Sequence, residues 1–179
     1  MPRPTRHLSR QAFSLVELVI VIIILAVIAA IAVPRIGRAG QGSAEAALKS
    51  DLRLLREVIE LYKAEHNGDV PALRAAGGGV GPQNGEAFHR QLTWCTNRSG
   101  EAVEARDNAH PFGPYLVSVP PVPVGKNAGK TAVVTTNHFS TPGAPGPGYG
   151  WEYEHYFGRI RANCAATEVD AAGVPYCEY

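Results

Sequence analysis

The sequence has little charge of either sign and no marked excess of one over the other. Its 179 residues hold 17 Lys and Arg against 16 Asp and Glu, a formal net charge of +1. Proteins that bind nucleic acid or another polyanion in bulk usually carry a clear basic excess, so the composition does not favour that class. Three cysteines are also too few for a scaffold held together by many disulfides.

Motifs of common enzyme and cofactor sites are missing too. The sequence has no glycine-rich phosphate loop of the P-loop or dinucleotide type and no HExxH zinc motif. Its six histidines do not stand at metal-ligand spacings, and we expect them at surface or loop positions. No Ser or Cys lies in a GxSxG context. We therefore expect a protein that is not an enzyme and that needs no cofactor.

One long apolar run dominates the N-terminal part of the chain. Residues 13–33 read FSLVELVIVIIILAVIAAIAV, in which only Ser14 and Glu17 are polar. As a helix, this run spans about 31 Å, close to the roughly 30 Å hydrocarbon core of a bilayer. The preceding residues 1–12 carry three arginines and no acid, which predicts a cytoplasmic N-terminus and an exported remainder.

Three interpretations fit residues 1–33. A secretory signal peptide cut near residues 30–32 usually has an apolar region of only about 7–15 residues and no acid inside it. A plain signal anchor explains the length but not Glu17, because a carboxylate in an apolar span costs roughly 2.5–3.5 kcal/mol. Cleavage between Ala12 and Phe13 would create an ammonium group four residues before Glu17. That amine, on the same or a neighbouring chain, would neutralise the carboxylate and set the register between packed helices.

Residues 11–34, QAFSLVELVIVIIILAVIAAIAVP, resemble the class III leader and first helix of type IV pilins and of type II secretion pseudopilins. The resemblance makes Phe13 the first residue of the mature chain, Glu17 the fifth and Pro34 the twenty-second. It implies that prepilin peptidase removes the leader and methylates the Phe13 amine, and that Glu17 and Pro34 serve assembly. The chain departs from the family at Ala12, where glycine is usual, so processing depends on whether the peptidase accepts alanine.

Pro34 and the glycines that follow it up to residue 42 predict a helix break, because proline removes a hydrogen bond and each glycine costs about 1 kcal/mol against alanine. Two interpretations stay open: a simple helix break where the chain leaves the membrane, or, as the resemblance implies, a stretch that melts or extends as subunits pack into a filament. From Ser43 onward, apolar side chains recur at spacings of three and four, which predicts an amphipathic helix that ends at Asn67-Gly68. Residues 50–71, SDLRLLREVIELYKAEHNGDVP, resemble the corresponding stretch of major type II secretion pseudopilins.

Opposite charges four residues apart predict ion pairs along this helix. The predicted pairs are Glu45–Lys49, Arg53–Glu57 and Arg56–Glu60.

The remaining residues, 68–179, predict an exported head of short elements. EAFHRQLTWC at 86–95 is typical of a helix, TAVVTT at 131–136 of a strand, and GWEYEHYFGRIRAN at 150–163 of a hairpin. In the hairpin, alternation predicts a core-facing set of Trp151, Tyr153 and His155, with Glu152 and Glu154 opposite Arg159 and Arg161 on the other face. QLTWCT, GPYL and the hairpin also resemble the head of pseudopilin-like proteins.

The expected fold class is α+β, with a long N-terminal helix whose distal half packs on a small antiparallel sheet. The expected organisation is a leader at 1–12, a membrane and assembly helix at 13–33, a helix break and amphipathic helix at 34–67, and a head at 68–179. The resemblance implies a single-pass inner-membrane protein with a cytoplasmic N-terminus and a periplasmic head. Its assembled filament would lie in the periplasm.

The partners implied by the resemblance are other copies of the chain, other pseudopilins, prepilin peptidase, the lipid bilayer, and an assembly platform with a cytoplasmic ATPase; no nucleic acid is expected. A major or minor type IV pilin has the same first helix and is the first alternative to a secretion pseudopilin. A signal-anchored periplasmic enzyme or binding protein is the second.

Export to an oxidising compartment favours a disulfide. A bridge between Cys164 and Cys177 would pin the C-terminal tail and would be similar to the C-terminal disulfide loop of some type IV pilins, with Cys95 left over. Spacing alone does not determine the connectivity. Major pseudopilins bind calcium in a C-terminal loop, and the resemblance keeps calcium as a minor alternative. The acids of this region, Glu168, Asp170 and Glu178, lack the Asp-rich, glycine-turn pattern of such a loop, so no ligands are assigned.

Overall fold

The computed structural model describes residues 14–142, 146 and 148–179, and within this range it leaves the side chains of residues 31–40 undescribed. The chain forms two compact units, Met1–Gln41 and Gly42–Tyr179. The elements in chain order are α1 (Leu15–Glu65), α2 (Gly85–Thr93), β1 (Cys95–Thr96), β2 (Ala102–Val103), β3 (Val133–Thr136), β4 (Trp151–Glu154), β5 (Arg159–Ala162) and a 3-10 turn (Tyr176–Glu178).

The backbone at residues 34–42 is helical, where the sequence predicts a break. Helix α1 continues through Pro34 and the glycines after it. A proline removes one hydrogen bond of the ladder, and a helix of this length keeps the others. The melting of this stretch during assembly stays a prediction.

The large apolar side chains from Leu15 to Ile28 are exposed. Among the described residues, no helix has the combined length and apolar character needed to cross a membrane. Two parts of the predicted span at 13–33 lie outside the description: Phe13, and the side chains of residues 31–33.

The second unit confirms the predicted amphipathic helix. One stripe of α1 is buried against the head, with side chains at most 2% exposed: Leu48, Leu52, Leu55, Ile59 and Tyr62. The predicted helix end is also confirmed. Asn67 and Gly68 both have positive φ, at 59° and 89°, and the Gly68 N–H donates to the Lys63 carbonyl at 2.9 Å.

The predicted ion pairs along α1 are wrong. Among the described side chains of this helix, the ion pair found is Lys63 with Glu60, at 3.5 Å. Two of the basic side chains contact the head instead. Arg56 donates to the carbonyls of Ile160 and Tyr179, and the Lys49 ammonium lies 4.6 Å from the centre of the Tyr179 ring.

The head has an α+β arrangement, as predicted. In its three-stranded sheet, β4 lies between β3 and β5. The predicted hairpin is confirmed as the antiparallel pair β4–β5, in which Glu152 lies opposite Arg161 and Glu154 opposite Arg159. A second antiparallel pair joins β1 and β2. The third strand differs from the predicted antiparallel sheet, since β3 runs parallel to β4. The core between α1, α2 and this sheet includes Trp151 and Tyr153, both fully buried.

Candidate functional site

The N-terminal turn of α1 holds the predicted assembly residue Glu17. The Ser14 carbonyl accepts the backbone N–H groups of Glu17 and Leu18, at 3.1 and 3.2 Å, which starts the helix. Glu17 is exposed among exposed apolar side chains, and no described residue forms an ion pair with it. A carboxylate in the first turn also suits the positive end of the helix dipole.

The predicted processing residues Ala12 and Phe13 lie outside the described residues, as does any contact between Phe13 and Glu17. Pro34 lies within α1, and its side chain is likewise outside the description. The roles assigned to these four positions therefore rest on the sequence and stay predictions. Chemically, α1 offers an apolar surface with one carboxylate near its start, which suits packing against other apolar helices that bring a positive charge.

The outer face of the β4–β5 hairpin carries two buried carboxylates, Glu152 and Glu154, at most 1% exposed. Arg161 donates to Glu152 at 2.6 and 2.8 Å, and Arg159 donates to Glu154 at 2.6 Å. The predicted cross-strand charge pairing is thus confirmed. Each carboxylate is therefore held by a guanidinium on the neighbouring strand.

A strap formed by residues 138–140 covers this face, which the sequence analysis missed. Ser140 donates both its N–H and its hydroxyl to Glu152, each at 2.7 Å, and Arg161 donates to the Ser140 carbonyl at 2.5 Å. His138 lies 3.0 Å from Glu154, and the Phe139 ring lies 4.5 Å from the Arg161 guanidinium. These contacts explain how two charged residues are buried at the surface of the head.

Three histidines at turn or loop positions are buried: His66, His110 and His155. The burial of His155 agrees with the core-facing set predicted for the hairpin. His66 stacks on the Tyr62 ring at 3.7 Å, while its Nδ1 lies 2.8 Å from the Tyr62 carbonyl and its Nε2 lies 3.0 Å from the Thr96 hydroxyl. His155 packs on Tyr156, and neither of its ring nitrogens has a hydrogen-bond partner among the described residues. Burial lowers the pKa of both His66 and His155.

These lowered pKa values predict that the head loses stability in acid. In the unfolded chain the two histidines take up protons below their ordinary pKa of about 6.5, whereas in the folded head they resist protonation. The free energy of unfolding is therefore expected to fall as the pH drops below about 6.5, with a slope of up to about 1.4 kcal/mol per pH unit for each histidine. Urea unfolding of the full chain in detergent, followed from pH 8 to pH 5, measures this slope.

A His155→Gln variant is expected to flatten that dependence, and exposed His89→Gln to leave it unchanged. The neighbouring Glu154 carboxylate opposes the effect of burial on His155, which limits the size of the change. A pH dependence that is the same in all three chains would contradict the assignment to His155.

The structure brings Cys164 and Cys177 together. Both thiols are buried and free, as is Cys95. Burial and a hydrogen bond with Cys177 raise the pKa of the Cys164 thiol to about 12. The bridge itself stays a prediction, and an oxidant in the exported compartment would have to remove two protons and two electrons from this pair.

We expect the exported, unfolded chain to show one maleimide-reactive thiol rather than three. A Cys164→Ser change is then expected to lower stability by about 2–5 kcal/mol, as for the loss of a native disulfide, while insertion is unaffected. A Cys95→Ala control should keep the bridge and show no reactive thiol. Three reactive thiols in the unmutated chain, with an unchanged thermal midpoint in Cys164→Ser, would reject the bridge.

The acids near the C-terminus bind groups of their own loops. Glu168 accepts the backbone N–H groups of Lys126 and Ala165, at 2.5 and 2.7 Å. Asp170 accepts the Val174 N–H at 2.9 Å and the Tyr179 hydroxyl at 2.5 Å. In the described part of the chain, no group of three or more His, Cys, Asp or Glu side chains is arranged to hold a metal ion.

Comparison with known families gives one match. Residues 8–33 match the family model described as the prokaryotic N-terminal methylation motif. Comparison with curated proteins and with solved structures finds no match. The matched segment includes Ala12, Phe13 and Glu17, which the sequence analysis assigned to processing and assembly, and it ends one residue before Pro34. The motif supports a membrane-anchored, pilin-like protein that prepilin peptidase processes and that assembles with other pilin subunits.

Proposed function

We propose that this chain is a pseudopilin, a structural subunit of a type II secretion pseudopilus. The observation that carries the proposal is the match to the methylation motif over residues 8–33, a segment in which an acid stands four residues after Phe13 within an apolar run. The likeness of residues 50–71 to major pseudopilins supports the secretion side. The structure agrees with the predicted end of that segment, since the helix stops before Asn67-Gly68.

In this proposal the precursor inserts through residues 13–33, with its basic leader in the cytoplasm and its head in the periplasm. Prepilin peptidase cuts after Ala12 and methylates the new amine of Phe13. The cost of a carboxylate in the apolar span, roughly 2.5–3.5 kcal/mol, is offset when that amine on a neighbouring chain reaches Glu17. An assembly platform driven by a cytoplasmic ATPase then lifts each subunit into the filament.

A type IV pilin, major or minor, is the second candidate, and one observation favours it. Cys164 and Cys177 are in contact near the C-terminus, where some type IV pilins have a disulfide loop. The methylation motif itself suits both candidates, because pilins and pseudopilins share the first helix.

Deletion of the chain in its host distinguishes the candidates. A pseudopilin predicts that folded secreted proteins accumulate in the periplasm while surface pili remain, and that the full-length chain restores secretion. A type IV pilin predicts loss of surface pili with secretion intact. An anchored periplasmic enzyme or binding protein predicts that both processes continue, which would contradict the proposal.

A further inference from the structure

A cavity of about 480 Å³ lies in the head where the start of α2 meets β3. Its volume is within the range of roughly 300–1,000 Å³ that is usual for small-molecule sites. The residues that line it come from three parts of the chain: 83–86 and 89 in and before α2, 131–135 in and before β3, and Tyr149 before β4. We call it the α2–β3 cavity.

The lining of the α2–β3 cavity holds polar groups that the fold does not use. The hydroxyls of Thr131 and Tyr149 and the side-chain amide of Gln83 form no hydrogen bond with a described residue. The Asn84 carbonyl oxygen accepts the Glu86 N–H at 2.9 Å, which leaves the Asn84 NH₂ group as a donor. The cavity therefore offers both donors and acceptors to a ligand.

The charged groups of the lining do not favour an ionic ligand. Arg90 donates to one oxygen of Glu86 at 2.6 and 3.0 Å, so this carboxylate is already paired. The His89 Nδ1 lies 3.4 Å from the Thr93 hydroxyl. Among the described residues that line the cavity there is neither a lysine nor an arginine. An anion would thus meet no permanent positive charge, and a cation would compete with Arg90.

An extended peptide is the usual ligand of an edge strand such as β3, but this edge is covered. The Thr135 hydroxyl donates to the Gln83 carbonyl at 2.7 Å. Gly85 lies so close to β3 that a Cβ on it would come within 1.9 Å of the Val133 carbonyl oxygen. A peptide strand added to β3 would therefore have to displace the start of α2.

We propose that the α2–β3 cavity binds a neutral oligosaccharide. Sugar hydroxyls both donate and accept hydrogen bonds, which matches the unused hydroxyl and amide groups of the lining. The apolar C–H face of a pyranose ring can pack on an aromatic ring, and the Tyr149 side chain, 39% exposed, supplies one. All the lining residues belong to the head, so the inference does not depend on whether the chain serves secretion or a pilus.

Titration of the full chain with three neutral trisaccharides tests the site: maltotriose, cellotriose and chitotriose. The chain is kept in a zwitterionic detergent without a sugar headgroup, and binding is measured by calorimetry. At least one of the three is expected to bind. Preference for chitotriose would identify an N-acetylated glycan of the cell-wall type as the source, and preference for maltotriose or cellotriose a polymer of hexoses. Equal affinity for all three would show recognition of the pyranose ring itself.

Two variants of the lining are expected to weaken binding. Tyr149→Ala is expected to raise the dissociation constant about fivefold or more, because the stacking ring is lost. Thr131→Val keeps the shape of the side chain but lacks the hydroxyl, and a rise of about threefold is expected. The head of Tyr149→Ala should stay folded, since the Tyr149 carbonyl still accepts the Asn163 side-chain amide, at 2.9 Å.

The matched control is Tyr156→Ala, which removes an exposed tyrosine ring that does not line the cavity and is expected to bind like the unmutated chain. An unmutated chain that unfolds cooperatively but binds none of the three trisaccharides would overturn the inference. Equal affinity of the unmutated chain and Tyr149→Ala would place the sugar elsewhere and would overturn it as well. Both results leave the proposed function standing, because that function is tested by processing and secretion.

Discussion

Replacing Glu17 by alanine is expected to leave membrane insertion intact or improved and to reduce filament assembly about tenfold or more. Removal of the carboxylate takes an acid out of an apolar run, which favours the bilayer by roughly 2.5–3.5 kcal/mol. The same change leaves the Phe13 ammonium of a neighbouring copy without a partner, and loss of one member of a buried ion pair costs about 3–5 kcal/mol. Membrane fractionation measures insertion, and the yield of filaments released from the periplasm measures assembly.

Two further variants separate the charge of Glu17 from other properties of the segment. Glu17→Gln keeps the size of the side chain but removes its charge, and it is expected to behave like Glu17→Ala. Ser14→Ala changes the other polar residue of the apolar run and is expected to assemble normally. Normal filament yield from Glu17→Ala would contradict the role assigned to this carboxylate.

Replacing Gly85 by alanine is expected to destabilise the head by about 3 kcal/mol. Gly85 is the first residue of α2, and a Cβ at this position would lie 1.9 Å from the Val133 carbonyl oxygen and 3.0 Å from its carbon. Both contacts are with the backbone of β3, so α2 or β3 must move to admit the methyl group. Urea unfolding of the full chain in detergent, followed by tryptophan fluorescence, measures the loss.

The matched control is Gly81→Ala. A Cβ on Gly81 would meet no atom within 4 Å, and its φ is not in the left-handed region. We expect this variant to unfold within about 0.5 kcal/mol of the unmutated chain. Equal stability of the Gly85→Ala and Gly81→Ala chains would show that the contact between α2 and β3 is not as close as the structure places it.

Several features of the head were predictable because they depend on local periodicity. Apolar spacings of three and four identify the buried stripe of α1, and Asn67-Gly68 supplies the positive φ values that end the helix. Alternation along residues 150–163 similarly identifies the hairpin and the side that carries Glu152 and Glu154.

The burial of His155 was predicted, with Trp151 and Tyr153, whereas that of His66 was missed although the same kind of periodicity contains the signal. His66 follows Tyr62 by four residues and continues the buried stripe of α1. His155 alternates with Trp151 and Tyr153 on the core side of the hairpin. For His66 the helical spacing is therefore a better predictor of burial than the polar character of the side chain.

Other features depend on contacts between distant segments and had no local signal. The strap at 138–140 is held by carboxylates more than ten residues further along the chain. Arg56 contacts Tyr179, and that contact replaces the ion pair predicted within the helix. The parallel pairing of β3 with β4 likewise depends on the long connection between them. The N-terminal site is the opposite case: its motif is recognised from the sequence alone, whereas Phe13 lies outside the described residues.

The most direct test of the central claim is the identity of the mature N-terminus, determined by intact mass and terminal peptide analysis of the chain from its own host. The proposal predicts a chain that starts at N-methylated Phe13, which would also show that alanine is accepted before the cut. A chain that starts at Val33 would indicate ordinary secretion, and a chain that keeps its leader would indicate an anchored domain. Either of these two results would contradict a pilin-like subunit assembled through the Phe13 amine and Glu17.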